Sequence, residues 1–167
     1  MHFEIIDNFL PAAVHQHLKH VIYGPDTKWE CNGARGWAFD ADNDMTVFYH
    51  YMVNHNELKS EHDQRILDCF SPLMERFGSP IVARAVWSQR RVKRVKSDYH
   101  MDKAEPHVVA LYYMNDNNSY TEFKDGVRVY AKENRVVIFD GHTPHRATAN
   151  TDDNERLIFN FNFNHAQ

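Results

Sequence analysis

The run Arg156-Leu157-Ile158-Phe159-Asn160-Phe161-Asn162-Phe163-Asn164, close to the end of the chain, decides the fold class. Side chains on a strand alternate between its two faces. Leu157, Phe159, Phe161 and Phe163 therefore share one face, while Arg156, Ile158, Asn160, Asn162 and Asn164 share the other. The phenylalanine face is expected to pack under a helix. The opposite face, with Arg156 and the asparagines, is expected to look into a polar barrel interior, whereas a purely structural barrel fills its inside with apolar side chains.

Outward from that run the same texture continues. Short β-branched or alternating segments occur at 81–88, 108–114, 121–123, 127–131 and 135–139, separated by Asp116-Asn117-Asn118, Asp125-Gly126 and Glu133-Asn134. This is the rhythm of an all-β sandwich or barrel. Upstream, 3–9 reads as a short strand, and Pro11 opens a helix carrying Val14, Leu18, Val21 and Ile22 that Gly24-Pro25 ends. Residues 26–44 are rich in Gly, Asn and Asp with isolated Trp29 and Trp37, a long loop or ragged hairpin arm of the kind that covers sites. A strand is expected over 46–53. A helix is expected over 57–77, with Leu58, Ile66, Leu67, Phe70, Leu73, Met74 and Phe77 near helical spacing and Gly78 as its stop. The expected architecture is one mainly β domain with flanking helices, in which 1–79 supply helical support and a lid region and 80–167 the β-barrel core.

A chain of 167 residues that is 43% hydrophobic can bury a core as a single domain. Its formal charge of -4 argues against a nucleic-acid surface spread over the whole molecule. Cys31 and Cys69 stand far apart, which excludes CxxC and zinc-knuckle spacing. The opening residues have neither a basic nor an apolar leader pattern, and no run has the length of a membrane span. A cytoplasmic protein with no membrane partner is the expectation, in a reducing setting.

The chemistry is concentrated in His100-Met101-Asp102 and in Asp140-Gly141-His142-Thr143-Pro144-His145. In a chain with 12 histidines, roughly one HxD triplet arises by chance, so the triplet alone is weak. His2-Phe3-Glu4 and His55-Asn56-Glu57 are comparable triplets, expected at a strand surface and at a helix start. His100-Met101-Asp102 differs because it lies between strands, where positions i and i+2 share a face and Met101 turns away. Two neutral imidazoles and one carboxylate leave adjacent open positions on Fe(II), the ligand set of oxygen-activating iron enzymes. His142 and His145 both qualify as the third ligand. His145 is preferred because it follows the turn and begins a new extended run. Arg156, on the polar face of the last strand, suits an anionic co-substrate held in bidentate fashion.

At these residues the chain resembles the prolyl 4-hydroxylase-like branch of the Fe(II)/2-oxoglutarate-dependent dioxygenases, over about residues 81–163. The pattern is HxD, a Tyr-bearing strand, a distal His and then Arg or Lys, matched by His100, Asp102, Tyr112-Tyr113-Met114-Asn115, His145 and Arg156. The resemblance implies a double-stranded β-helix, a jelly-roll barrel, with His100, Asp102 and His145 as metal ligands. It implies 2-oxoglutarate bound through Arg156 and Tyr113, with Tyr112 as a substitute, and consumption of O2 with release of succinate and CO2. Ascorbate is an associated reductant. One departure stands out: where the family often has Gly-Gly before a strand, this chain has Asn118-Ser119-Tyr120.

The implied reaction is hydroxylation of a protein side chain, proline first, or of a small molecule. Arg90, in the basic run Arg90-Arg91-Val92-Lys93-Arg94-Val95-Lys96, and Trp87 are candidate substrate contacts at the mouth, with Trp37 as a further apolar wall. Such a run is more often a solvated loop. Two rival classes are a non-catalytic metal- or ligand-binding jelly roll, which has no use for a co-substrate arginine, and an oxidative demethylase of nucleic acid. The second is disfavoured by the lack of a further arginine just after Arg156 and of aromatic residues interleaved with the basic run.

Overall fold

A computed structural model describes residues 3–32 and 46–165. In chain order its strands are β1 (Phe3–Asp7), β2 (Glu30–Asn32), β3 (Val47–Asn54), β4 (Glu57–Leu58), β5 (Pro80–Gln89), β6 (His107–Tyr113), β7 (Tyr120–Phe123), β8 (Arg128–Tyr130), β9 (Arg135–Asp140), β10 (His145–Ala147) and β11 (Glu155–Asn164). The helices are α1 (Ala12–Ile22), α2 (Glu61–Cys69) and α3 (Ser71–Phe77).

The alternating run that opened the sequence reading is β11, the centre of the larger sheet. The order of that sheet is β1-β9-β6-β11-β5-β3-β2, with β4 paired to β3, and a smaller sheet runs β10-β7-β8. The pairings within each sheet are antiparallel. Phe123 of the smaller sheet meets Phe139 of the larger at 5.0 Å between ring centroids, so the two sheets face each other across a shared interior. This is the double-stranded β-helix, mainly β with helices on its outer side.

One face of β11 packs as its pattern required. Phe159 and Phe161 meet Phe70 at 5.0 and 4.7 Å between centroids, and Phe163 meets Phe77 at 5.3 Å. These rings form the larger core cluster with Leu10, Leu18 and Leu73 from the helical layer. The other face looks inward, and its polar residues stand at both ends of a cavity, Arg156 at one and Asn160 at the other. Val109, Leu111, Val137, Phe139, Phe123 and Val129 fill the remainder, because most of the space between the sheets is sealed from water.

Three local expectations change. The single helix over 57–77 is two. Ser60 caps α2 by accepting from Asp63 N at 3.2 Å, and Pro72, which has no N–H to donate, starts α3 after a turn at Phe70. Glu57 and Leu58 belong to β4, so His55-Asn56 is a hairpin turn with φ of 52° and 65° and not a helix start. The strands expected in the N-terminal part belong to the larger sheet itself, not to a separate support: β1 pairs with β9 and β3 with β5. Of the expected arm at 26–44, β2 pairs with β3, and residues 33–45, with Trp37, lie outside the described residues.

Candidate metal centre and its cavity

The segment carrying His100 is stitched alongside β10. His100 N donates to His145 O at 2.9 Å and His145 N returns a bond to His100 O at 3.0 Å, making the two histidines a directly opposed pair. Farther along, Ser97 N donates to Ala147 O at 3.0 Å and Ala149 N to Val95 O at 2.8 Å. Asp102 then folds over β11, where its Oδ2 accepts from Asn160 Nδ2 at 2.8 Å and Asn162 Nδ2 at 3.2 Å. The inward asparagines of β11 thus position the carboxylate.

The outcome is one cluster in which a ligand atom from each of His100, Asp102 and His145 lies within 4.8 Å of the others. Both imidazoles place Nδ1 against a carbonyl, Asp98 O for His100 and Thr143 O for His145, each at 3.0 Å. A carbonyl only accepts, so Nδ1 carries the proton and Nε2 keeps its lone pair for a metal. Burial pushes the His145 imidazole below its ordinary pKa, against the nearby Asp102 charge, which keeps the ring neutral. Burial works to raise the Asp102 carboxyl, but Arg84, His145, the Asn160 hydrogen bond and His100 together bring it below the usual carboxylate range. Two imidazoles with Nδ1 engaged by carbonyls, beside an ionised carboxylate, fit Fe(II) with open positions. His142 is exposed and elsewhere: its Nε2 pairs with Ala104 O at 2.9 Å.

The cluster forms one wall of a cavity of about 340 Å³. Strand register arranges the inner surface in layers. At the level of the ligands, Tyr51, Arg84, Asn160 and Leu111 lie side by side across β3, β5, β11 and β6; next come Tyr49, Val86, Ile158 and Tyr113; then Val47, Ser88 and Arg156. Arg156 closes the blind end and is 1% exposed. Its Nε and Nη2, and the hydroxyl of Ser88 opposite it, have no hydrogen-bond partner among the described residues. Burial lowers the pKa of this guanidinium, partly offset by Tyr113 and Tyr49. An unpaired buried cation is costly, so this end is built for an anion that brings its own charge. A carboxylate fits.

Tyr113 is buried, with its hydroxyl 2.7 Å from Thr121 Oγ1, and it is Thr121 that reaches the cavity wall. Tyr112 faces the helical layer, its hydroxyl 2.6 Å from His15 Nδ1 and 2.9 Å from Asn134 Oδ1. The structure does not bring Trp87 or Arg90 to the cavity. Trp87 occupies the opposite face of β5, packed 4.8 Å from Phe48 between ring centroids, with Nε1 donating to Glu155 Oε2 at 2.5 Å. Arg90 is exposed, its amide bonded to Asn154 O at 2.9 Å. The basic run passes outside the smaller sheet, where Lys96 pairs with Glu122 at 3.2 Å and Arg94 lies over the Tyr120 ring at 5.1 Å.

Sequence reasoning passed over Arg84, Ser88 and Thr121. A signal for the first two existed: on β5 they alternate with Val86, and a lone arginine inside an otherwise apolar strand has to face something polar.

No family model and no curated protein matches this sequence. Solved structures match its fold. An oxidoreductase of the 2OG-Fe(II) oxygenase family from Burkholderia pseudomallei superposes with a TM-score of 0.67 at 12% identity, covering 98% of this chain and 85% of that one. A prolyl hydroxylase from Trichoplax adhaerens, in complex with a hypoxia inducible factor oxygen degradation domain peptide fragment, gives 0.66 at 15% identity over 97% and 83%. The epimerase SnoN in complex with Fe3+, alpha ketoglutarate and nogalamycin RO gives 0.62 at 14% identity over 97% and 78%. The architecture of this chain is that of the 2OG-Fe(II) oxygenases.

Proposed function

We propose that this chain is an Fe(II)- and 2-oxoglutarate-dependent dioxygenase that hydroxylates its substrate, with succinate and CO2 as co-products. One observation carries the reading: three convergent ligand atoms share a cavity with a buried guanidinium that lacks a full set of partners among the described residues. A metal-binding module without turnover has no need of that second feature.

In this reading His100, Asp102 and His145 hold the ion, and Arg156, with Ser88 and Tyr113 in adjoining positions, takes the distal carboxylate of 2-oxoglutarate. When bound, the iron supplies the O2 and one-electron chemistry that side chains lack, with ascorbate as the reductant that keeps it ferrous. The chain supplies geometry. The Asp98 and Thr143 carbonyls hold both imidazoles with Nε2 free, and Asn160 and Asn162 fix the carboxylate. Val86, Ile158 and Leu111 exclude water between the ligands and Arg156.

A protein side chain, proline first, is the proposed target. The peptide-bound prolyl hydroxylase with the same architecture supports it. An epimerase on that architecture shows that fold alone does not choose the reaction.

Anaerobic addition of Fe(II) and 2-oxoglutarate is expected to give a weak visible charge-transfer band, and its absence from well-folded protein would overturn the assignment. Asp102→Ala is expected to abolish iron retention and succinate formation, whereas His142→Ala leaves both nearly intact. Arg156→Ala is expected to raise the 2-oxoglutarate requirement by roughly tenfold or more while sparing iron, the loss of a charge-assisted bidentate contact.

A further inference from the structure

Arg156 is not the only arginine in the cavity. Arg84 sits directly across from Asn160 in the β5–β11 register, four residues along the strands from the level of Ser88 and Arg156. At the usual rise that is about 13 Å of strand, so the two guanidiniums belong to opposite ends of the site. They also differ in access. The Arg156 side chain is sealed, while that of Arg84 is 26% exposed beside His100, itself 39% exposed, at the open end.

Arg84 has a neighbour of opposite charge, but not a closed hydrogen-bonding arrangement. Its Nη2 lies 3.8 Å from Asp102 Oδ1, beyond hydrogen-bond distance, and its buried Nε has no hydrogen-bond partner among the described residues. The guanidinium carbon sits 5.5 Å from the centre of the Tyr49 ring, which is itself stacked on Tyr51 at 5.9 Å. Tyr51 acts on the guanidinium as a hydrogen-bonding neighbour, and Arg84, Tyr49 and Tyr51 all line the cavity.

Charge gives the second line of argument. The charged side chains lining the cavity, among the described residues, are Arg84, Asp102 and Arg156. With a divalent ion in place they leave an excess of three positive charges, of which a dianionic co-substrate neutralises two. The remaining positive charge stands at the open end, where the substrate enters, in a partly dehydrated setting that makes an unmatched charge expensive.

We infer that Arg84, framed by Tyr49 and Tyr51, is a substrate subsite for an anionic group, a carboxylate, carried close to the carbon that reacts. The inference rests on the dioxygenase reading above and deepens it: the substrate is an acid, either a free amino-acid-like molecule or a residue at or beside a carboxylate in a peptide.

The test uses full-length protein loaded anaerobically with Fe(II) and 2-oxoglutarate, and matched pairs of N-acetyl amino acids and their amides, proline included. Binding is read by calorimetry and by perturbation of the charge-transfer band. At least one acid is expected to bind roughly tenfold or more tighter than its amide. Arg84→Met, close in volume, is expected to erase that preference, and Arg84→Lys to keep part of it, as a point charge without the fork. No acid preferred over its amide in the wild type, or a preference that survives Arg84→Met, overturns the inference. If Arg84→Met instead raises the 2-oxoglutarate requirement, Arg84 serves the co-substrate, so the subsite falls while the dioxygenase reading stands. If the wild type shows no charge-transfer band, the dioxygenase reading falls, and calorimetry still reports on the acid preference.

Discussion

A Cβ on Gly141 would lie 2.1 Å from His107 Nε2, so this glycine is required by space and not by backbone angle. The His107 ring is fully buried, with Nδ1 on Glu105 O at 2.7 Å, and has no room to retreat. Gly141→Ala is therefore expected to cost about 1–3 kcal/mol by overpacking, measured by urea unfolding, and a double variant with His107→Ala should recover part of it. The clash strikes the turn that delivers His145. At this scale the pairing of His100 with Asp102 was legible from the triplet, but not as a shared strand face: the chain bends at Asp102, and Met101, expected to turn away, lines the cavity. His145 was separable from His142 only by preference, since both flank the same turn. The opposing bonds between His100 and His145 bring the latter into the cluster, and they join residues far apart in sequence. Arg84 was legible only as a polar residue facing inward from its strand; its place beside the cluster depends on lying opposite Asn160.

The helical layer shows how one residue couples elements. Phe70, in the turn between α2 and α3, is fully buried and packs edge-on to Tyr112 at 5.1 Å as well as against Phe159 and Phe161 of β11. Phe70→Ala should remove about 3–5 kcal/mol of unfolding free energy in a denaturant titration, as expected for a large aromatic truncated in a tight core. A loss below about 1 kcal/mol would mean that the helices are only loosely docked. Helical periodicity made this apolar stripe readable from Ile66 to Phe77, but it also took in Leu58, which belongs to β4, and ran through a break. Pro72 is tolerated in the first turn of a helix, so its presence does not say whether the preceding turn is helical; the packing of Phe70 against β11 decides that.

At the scale of the whole molecule, Glu122 joins the strands of the smaller sheet to one another and, through Lys96, to the segment before His100. This carboxylate, 4% exposed, accepts from Arg128 Nε and Arg146 Nε at 2.6 Å and from Lys96 Nζ at 3.2 Å. Burial works to raise its pKa, but the three cations overcome that and hold it down at about 2, from an ordinary 4.5. A carboxyl depressed on folding contributes stability that is complete above its unfolded value and is lost as pH falls through its folded value. Wild type should therefore lose stability between about pH 4.5 and pH 2 with a slope that Glu122→Gln makes shallower, measured as unfolding midpoints across that range. The sequence by itself determined the alternation of β11, the strand-and-turn rhythm that makes the protein mainly β, and the chain order of His100, Asp102, His145 and Arg156. These follow from local periodicity and residue chemistry, which a segment carries with it. Only the tertiary structure decided that Arg156 ends a blind cavity, that Trp87 faces away from it, that Tyr112 belongs to the helical layer and that Arg84 stands at the open end. Those placements depend on which strands pair and in what register, and register is set by long-range burial that no single segment encodes.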